Sequence, residues 1–291
     1  MNEDALKTFI TIAEVKNFTK ASEILHISQP SVSLQVKNLE KEFGTELFIR
    51  SPKHVQITPT GEILYKRAKQ LRSLYEQTKE EIVAYHHKIQ GVLVIGASFT
   101  IGEFILPSLL KKVQDFYPEL ELQIIIGNTE EIIEKVRMFQ VDIGLIEGQT
   151  NDTELQIQPF MEDELVLISS PTHMCLEECV DIHELHDQQW IIREDGSGTN
   201  EYVKHFIRTN GLKVKRLMTI SSNQGIKESV INGMGISLLS SYVVERERKH
   251  GELAVTRVKN KPFTRTLSYI YTPIGKTKKS VTAFMEIIDS M

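Results

Sequence analysis

Residues 19–40, TKASEILHISQPSVSLQVKNLE, set two short helices on either side of a tight turn, and that pairing limits what the start of this chain can build. In residues 20–25, Ala21, Ile24 and Leu25 share one face, and His26 and Ile27 turn the chain. Ser28 stands where a side-chain oxygen can accept from a free backbone N–H, and Pro30 falls in the first turn, where a missing N–H costs nothing. Val32, Val36 and Leu39 recur at helical spacing and point to a core. The opposite face carries Gln29, Ser31, Ser33, Gln35 and Lys37, short or amide side chains suited to base edges and phosphates in a major groove. An ordinary two-helix corner with a solvated polar face would read the same way, so the rest of the chain must decide.

Its neighbours favour DNA. Residues 1–17 form an amphipathic helix lined by Leu6, Phe9, Ile10, Ala13 and Val15, and Phe43-Gly44 stops the third helix with glycine. Residues 47–50 and 55–58 are short strand-like runs joined by Ser51-Pro52-Lys53-His54. Three helices and a small hairpin make a winged helix-turn-helix, whose wing would put Arg50 and Lys53 at a phosphate or in a minor groove. The net charge of the whole chain is −5, and acids offset bases within residues 1–60, so any DNA contact must come from local placement rather than a broad basic field.

After Pro59-Thr60-Gly61 comes a helical pattern without a breaker to residue 89. Leu64, Ala68, Leu71, Tyr75, Thr78, Ile82, Tyr85 and Ile89 alternate spacings of four and three, a coiled-coil seam that either packs on its own domain or pairs with a second copy. The dimer is the stronger expectation, because it offers two recognition helices to two half-sites.

From residue 91 strand and helix patterns alternate. Strands are expected at 92–96, 121–127, 142–147, 164–169, 190–193, 215–220 and 236–239, and helices at 102–117, 129–139, 200–210, 223–233, 240–249 and 277–290. This predicts an α/β fold with mostly parallel sheets, divided into two subdomains. Residues 1–4 open acidic with no apolar run behind them, no stretch is long enough to span a bilayer, and the two cysteines suit a reducing compartment; a cytoplasmic chain without a membrane partner is expected.

At this point the chain resembles the LysR-type transcriptional regulators nearly end to end. The resemblance is carried by Ala21-Ser22, Leu25, Ser28-Gln29-Pro30-Ser31-Val32-Ser33, Leu39-Glu40, Gly44, Leu47-Phe48-Ile49-Arg50 and Thr58-Pro59-Thr60-Gly61. It continues in the strand Gly91-Val92-Leu93-Val94-Ile95-Gly96 and in Val141-Asp142-Ile143-Gly144-Leu145. It implies a winged helix-turn-helix over residues 1–58 and a linker and dimerisation helix over 59–89. An effector domain of two subdomains like those of periplasmic binding proteins would follow, one from 90–161 with 267–291 and one from 162–266. It also implies a dimer of dimers on double-stranded DNA carrying an interrupted inverted repeat, contact with RNA polymerase, and activation as the commoner mode. Two positions depart from the family pattern: Lys53 stands where arginine is more usual, losing the planar fork, and Leu34 replaces a polar or basic residue.

Four segments of the second half share a polar run at an expected helix start after a strand: Ser98-Phe99-Thr100, Asn128-Thr129, Ser197-Gly198-Thr199 and Ser222-Asn223. Helix N-termini present free N–H groups, so converging ends would form a nest for a small anion between the subdomains, although each segment alone is an ordinary cap. Ser98, Thr100 and Thr129 match the contact positions that the resemblance implies. No fixed-charge clamp is evident, and Arg193 and Glu194 could face the cleft or solvent. The run Arg193 to Thr199 is similar to family members that control sulfur assimilation. Cys175 and Cys179, with His173, His183 and His186 nearby, offer a redox or metal sensor as an alternative, but the spacing fits no standard zinc pattern. A small-molecule carrier without a regulatory role is the other alternative. No Gly-x-Ser-x-Gly elbow, His-Glu-x-x-His or phosphate loop supports an enzyme, and no cofactor or bound metal is expected.

Overall fold

The computed structural model describes residues 3–50, 55–84, 89–148, 150, 152–173, 179–259 and 262–290. The chain divides into two compact units, Met1–Lys79 and Glu80–Met291.

The first unit holds α1 (Glu3–Val15), α2 (Phe18–Leu25), α3 (Gln29–Phe43), β1 (Phe48–Arg50), β2 (Val55–Ile57) and most of α4 (Pro59–Ala84). The turn is built by local chemistry. The Asn17 side chain caps α2, His26 ends it in the left-handed region (φ 54), and the Ser28 hydroxyl accepts from the Ser31 N–H to start α3. Phe9, Ile10, Ala21, Val32, Val36, Leu39 and Phe48 are buried together, with the Phe9 and Phe48 rings 5.1 Å apart. The hairpin pairs Phe48 with Ile57 and Arg50 with Val55. The Glu40 carboxylate accepts from the Leu47 N–H at 3.1 Å and ties the end of α3 to the wing.

The seam expected along the linker helix splits by position. Leu64 and Ala68 are buried in the core of the winged unit, whereas Leu71 and Tyr75 are 45% and 48% exposed. The helix is described over Pro59–Ala84, residues 85–88 lie outside the described residues, and Ile89 packs against the core of the second unit. The periodic face is used twice because the first turns of α4 close the winged core before the helix leaves it. Tyr85 lies outside the described residues.

The second unit runs β3 (Gly91–Ser98), α5 (Leu106–Phe116), β4 (Leu120–Gly127), α6 (Thr129–Arg137), β5 (Ile143–Glu147), β6 (Gln156–Ser169), β7 (Cys179–Val180) and β8 (Gln189–Ile192). It continues with α7 (Gly198–Thr209), β9 (Arg216–Thr219), α8 (Asn223–Ile231), β10 (Ser237–Ser240), α9 (Ser241–His250), β11 (Ala254–Val258), β12 (Thr264–Tyr271) and α10 (Lys279–Asp289). The expected helix at 102–117 opens instead as a π-helical turn, Ile101–Ile105, in which the Leu106 N–H bonds back to Ile101. Pro107 has no N–H to continue an α-helical ladder there.

Strand order is β4-β3-β5-β12-β6-β11-β7, with β10 also on β6, and β8 pairs β9 apart from this sheet. The sheets are mixed, which corrects the expectation of mostly parallel pairing. β3 lies parallel to β4 and β5, but β12 is antiparallel to both β5 and β6, and β10 and β11 are antiparallel to β6. The cause is topological: the chain passes between its two halves along two long antiparallel strands, β6 and β12. The first half of β6 and the whole of β12 and β11 were not expected as strands. One core gathers Leu93, Leu106, Leu145, Leu267 and Phe284. Another gathers Trp190, Phe206, Leu238 and Phe263, with Phe206 and Phe263 edge to face at 4.8 Å. Between them β6 and β12 cross, and there Asp163 is registered opposite Arg265.

Candidate functional site

On α3, Val32, Val36 and Leu39 are buried, while Gln29, Pro30, Ser31 and Lys37 are exposed and Ser33 is half-buried. The Gln29 amide donates to the Ser33 hydroxyl at 3.2 Å, which orders two neighbouring polar groups one turn apart. Gln35 is committed elsewhere, since its amide oxygen accepts from Thr8. Leu34 is 59% exposed on the same helix, an apolar spot beside polar ones. Arg50 closes β1 in register with Val55, and Lys53 lies outside the described residues.

In the second unit the four expected helix starts are present; those at Thr100 and Thr199 meet a carboxylate belonging to the chain itself, that at Thr129 meets the same residue's carbonyl, and that at Asn223 meets Arg193 instead. Glu147 ends β5 and is 2% exposed. The Thr100 N–H donates to its Oε1 at 3.1 Å, and the Thr199 hydroxyl donates to its Oε2 at 3.0 Å. Arg265 Nη1 donates to that same Oε2 at 2.6 Å and to Thr199 Oγ1 at 2.8 Å. The Thr129 hydroxyl donates to the Glu147 carbonyl at 3.2 Å. Gly198 presses on that carbonyl so closely that a Cβ would sit 2.4 Å from its oxygen, which is why α7 must begin with glycine. Arg265 also donates through Nε to Asp163 Oδ2 at 2.8 Å, and Ser240 donates to Asp163 Oδ1 at 2.6 Å.

The electrostatics follow from sharing one guanidinium between two buried carboxylates. Burial pushes the Glu147 carboxyl up, but the Arg265 charge and the donors from Thr100, Ser98 and Thr199 outweigh it and hold it below its ordinary value. At Asp163 burial wins over Arg265 and Ser240, helped by the charge of Glu147, and the carboxyl lies above its ordinary value. The Ser98 hydroxyl is buried and close enough to favour the Glu147 charge, yet makes no hydrogen bond of ordinary geometry.

A second buried arginine lies nearby. Arg193 is 1% exposed, grips the neighbouring Glu194 through Nε and Nη2 at 2.8 Å each, and donates to Asn223 Oδ1 at 2.9 Å. Its guanidinium lies 4.6 Å over the Phe99 ring. The Asn223 amide nitrogen is buried without a partner. Glu103, on the π-helical turn, is pushed above its ordinary value by burial, against the pull of Arg193 and Lys227.

Two buried arginines, Arg265 and Arg193, stand among these helix starts, and of the two placements open to Arg193 the structure has the buried one. The hydroxyls of Thr100, Thr129 and Thr199 are engaged within the chain, and Asn128 and Ser222 are helix caps, accepting from Glu131 and Gly225 N–H groups. Ser197 precedes α7 without a side-chain cap. Ser98, Phe99, Arg193 and Asn223 retain donor or stacking capacity. Glu147, Asp163 and Arg265 were missed because an isolated charge in an apolar strand carries no local signal of its partner. The alternation Thr264-Arg265-Thr266-Leu267-Ser268-Tyr269 was the available clue to β12. Cys179 is a free thiol in β7, Cys175 is outside the described residues, and no His, Cys, Asp and Glu group suited to a metal occurs among the described residues.

A winged helix-turn-helix joined to an α/β unit whose long strands β6 and β12 link its two halves defines a class of regulator, and comparison with known proteins agrees. Residues 4–62 match the bacterial regulatory helix-turn-helix protein model of the lysR family, and residues 86–291 match the LysR substrate binding domain. The transcriptional regulator CysL of Bacillus subtilis is 54% identical over 291 residues, covering 100% of this chain and 97% of that protein. The regulator YeiE of Escherichia coli is 34% identical, covering 98% and 96%. A full-length OxyR variant from Pseudomonas aeruginosa shares the fold with a TM-score of 0.81 at 23% identity, covering 99% and 94%. The regulatory domain of Synechocystis CcmR, solved in complex with 2-PG, matches at a TM-score of 0.62 and 26% identity, covering 69% of this chain and 99% of that one. The chain belongs to the LysR-type transcriptional regulators: it is a DNA-binding transcriptional regulator with an effector-binding domain.

Proposed function

We propose that this regulator is an activator controlled by a small anion bound between the two halves of its second unit. The reading divides the chain into a DNA-binding domain (1–58), a linker segment (59–89, helical over Pro59–Ala84), one effector subdomain of 90–161 with 267–291 and another of 162–266. Supporting the last division, the two cores separate where β6 and β12 cross. Gln29, Pro30, Ser31, Ser33 and Lys37 enter the major groove, and Arg50 and Lys53 meet the DNA backbone. The exposed Leu71 and Tyr75, with Leu6 and Ile10, border a groove of about 480 Å³ that a second copy fills. Dimers pair into a tetramer on an interrupted inverted repeat and contact RNA polymerase in the cytoplasm. No described helix is long and apolar enough to cross a membrane. The 2-PG held by the CcmR regulatory domain supports a small-molecule effector.

The observation that carries the DNA assignment is α3 itself, whose buried stripe leaves the Gln29–Ser33 pair open on the opposite side. Ser33→Glu adds length and negative charge on that face, and is expected to abolish a specific footprint while circular dichroism and melting stay close to the parent. An unchanged footprint would remove α3 from the groove.

A further inference from the structure

Two of the helix starts expected to face a small anion, with Arg265, hold a carboxylate of the chain itself, Glu147. We propose that Glu147 is a tethered stand-in for the effector's oxyanion, and that effector binding is an exchange in which the incoming oxyanion takes the Thr100, Thr199 and Arg265 donors from it. The proposal deepens the anionic-effector reading and rests on it.

The donors themselves report the chemistry they accept. A backbone N–H, a hydroxyl and a guanidinium converge on one carboxylate at 2.6–3.1 Å, which is how a protein holds a bound carboxylate or oxyanion. They come from both halves and from the crossing strand between them, so whatever occupies the nest holds the halves together. Arg265 would not be stranded when Glu147 leaves, because Asp163 keeps its Nε at 2.8 Å and is itself anchored by Ser240. Ser98 adds a buried hydroxyl beside the Glu147 carboxylate that makes no hydrogen bond of ordinary geometry there, a further donor for a group with more oxygens than a carboxylate. Behind Glu147 stands Gly148 at φ +83, a backbone conformation in which glycine turns without strain, so the chain can redirect beside the departing side chain.

The test uses the full chain, with formate and acetate as probes at ionic strength held constant with chloride. Glu147→Ala opens a carboxylate-sized hole, and Glu147→Gln keeps the shape while giving up the charge that Arg265 holds. Formate or acetate is expected to raise the melting point of the Ala variant saturably. Affinity should fall in the order Ala, Gln, wild type, with Gln at least tenfold tighter than wild type. If the Ala variant is recovered folded only when expressed and purified in formate, that outcome also supports the nest; no recovery in formate would overturn it. No saturable response in a folded Ala variant, or equal affinities for Gln and wild type, would likewise overturn the exchange. Failure of the broader reading looks different: wild type would ignore every anion offered while the Ala variant still answered to formate.

Discussion

The exposed face of α3 and the helix starts around Glu147 are built from the same vocabulary of serine, threonine, asparagine and glutamine, and they use it in opposite ways. On α3 the buried stripe of Val32, Val36 and Leu39 forces the other side outward, so Gln29, Ser31 and Lys37 remain available to a partner. At the helix starts of the second unit, the hydroxyls of Thr100, Thr129 and Thr199 are spent on Glu147 and Arg265. Helical periodicity decides exposure on an amphipathic helix, because i and i+4 neighbours are set by the backbone. It says nothing about which distant carboxylate a helix start will meet.

That contrast can be broken or sharpened by mutation. The largest effect is the loss of specific DNA binding in Ser33→Glu, which changes function without touching the core. Next is Arg265→Met. It leaves Glu147 and Asp163 buried and unpaired, and denaturant titration at neutral pH is expected to show a loss of about 3–5 kcal/mol. The penalty should shrink on acidification, since protonation discharges both carboxylates. In the parent protein the two groups act with opposite sign. Glu147, held low, stabilises the fold above its unfolded pKa, and that contribution is lost as pH falls through the lower folded value. Asp163, pushed high, opposes the fold at neutral pH and ceases to do so as pH falls through its raised value. A penalty for Arg265→Met that is independent of pH would contradict this arrangement.

Thr100→Val is expected to act more gently. It preserves the N–H that holds Glu147 and removes only a hydroxyl that accepts a long 3.4 Å bond from Arg265. Effector response should weaken by roughly a factor of ten or less, about the worth of one modest hydrogen bond, with basal DNA affinity unchanged. Calorimetric titration alongside a gel-shift assay would check both halves of that statement. The smallest effect belongs to Ser28→Ala, which deletes the α3 cap and should cost about 1 kcal/mol of stability in chemical denaturation. A larger loss would mean that the turn depends on more than local capping.

Much of the architecture was legible before any coordinates. The caps at Ser28, Asn128 and Ser222, the stop at Gly44 and the starts of α6, α7 and α8 all obey local rules of backbone satisfaction, and each was found in place or within a few residues, whereas Asn17, read as part of the first helix, caps α2. β12 was missed although Thr264–Tyr271 alternates polar and apolar residues between Pro262 and Pro273, and β6 was halved because Gln156–Phe160 reads as loop. Those two omissions hid the crossing, and with it the centre of the cleft.

What the sequence determined by itself was everything governed by neighbours a few residues apart: the helix-turn-helix, the exposed face of α3, the alternation of strands and helices, and the family to which they belong. The tertiary structure alone decided the rest. It alone joined Glu147, Asp163 and Arg265, which lie up to 118 positions apart in the chain, and it turned Arg193 inward beneath its own Glu194 and against Phe99. The physical reason is that a buried charge is tolerable only with a partner, and the partner is supplied by topology.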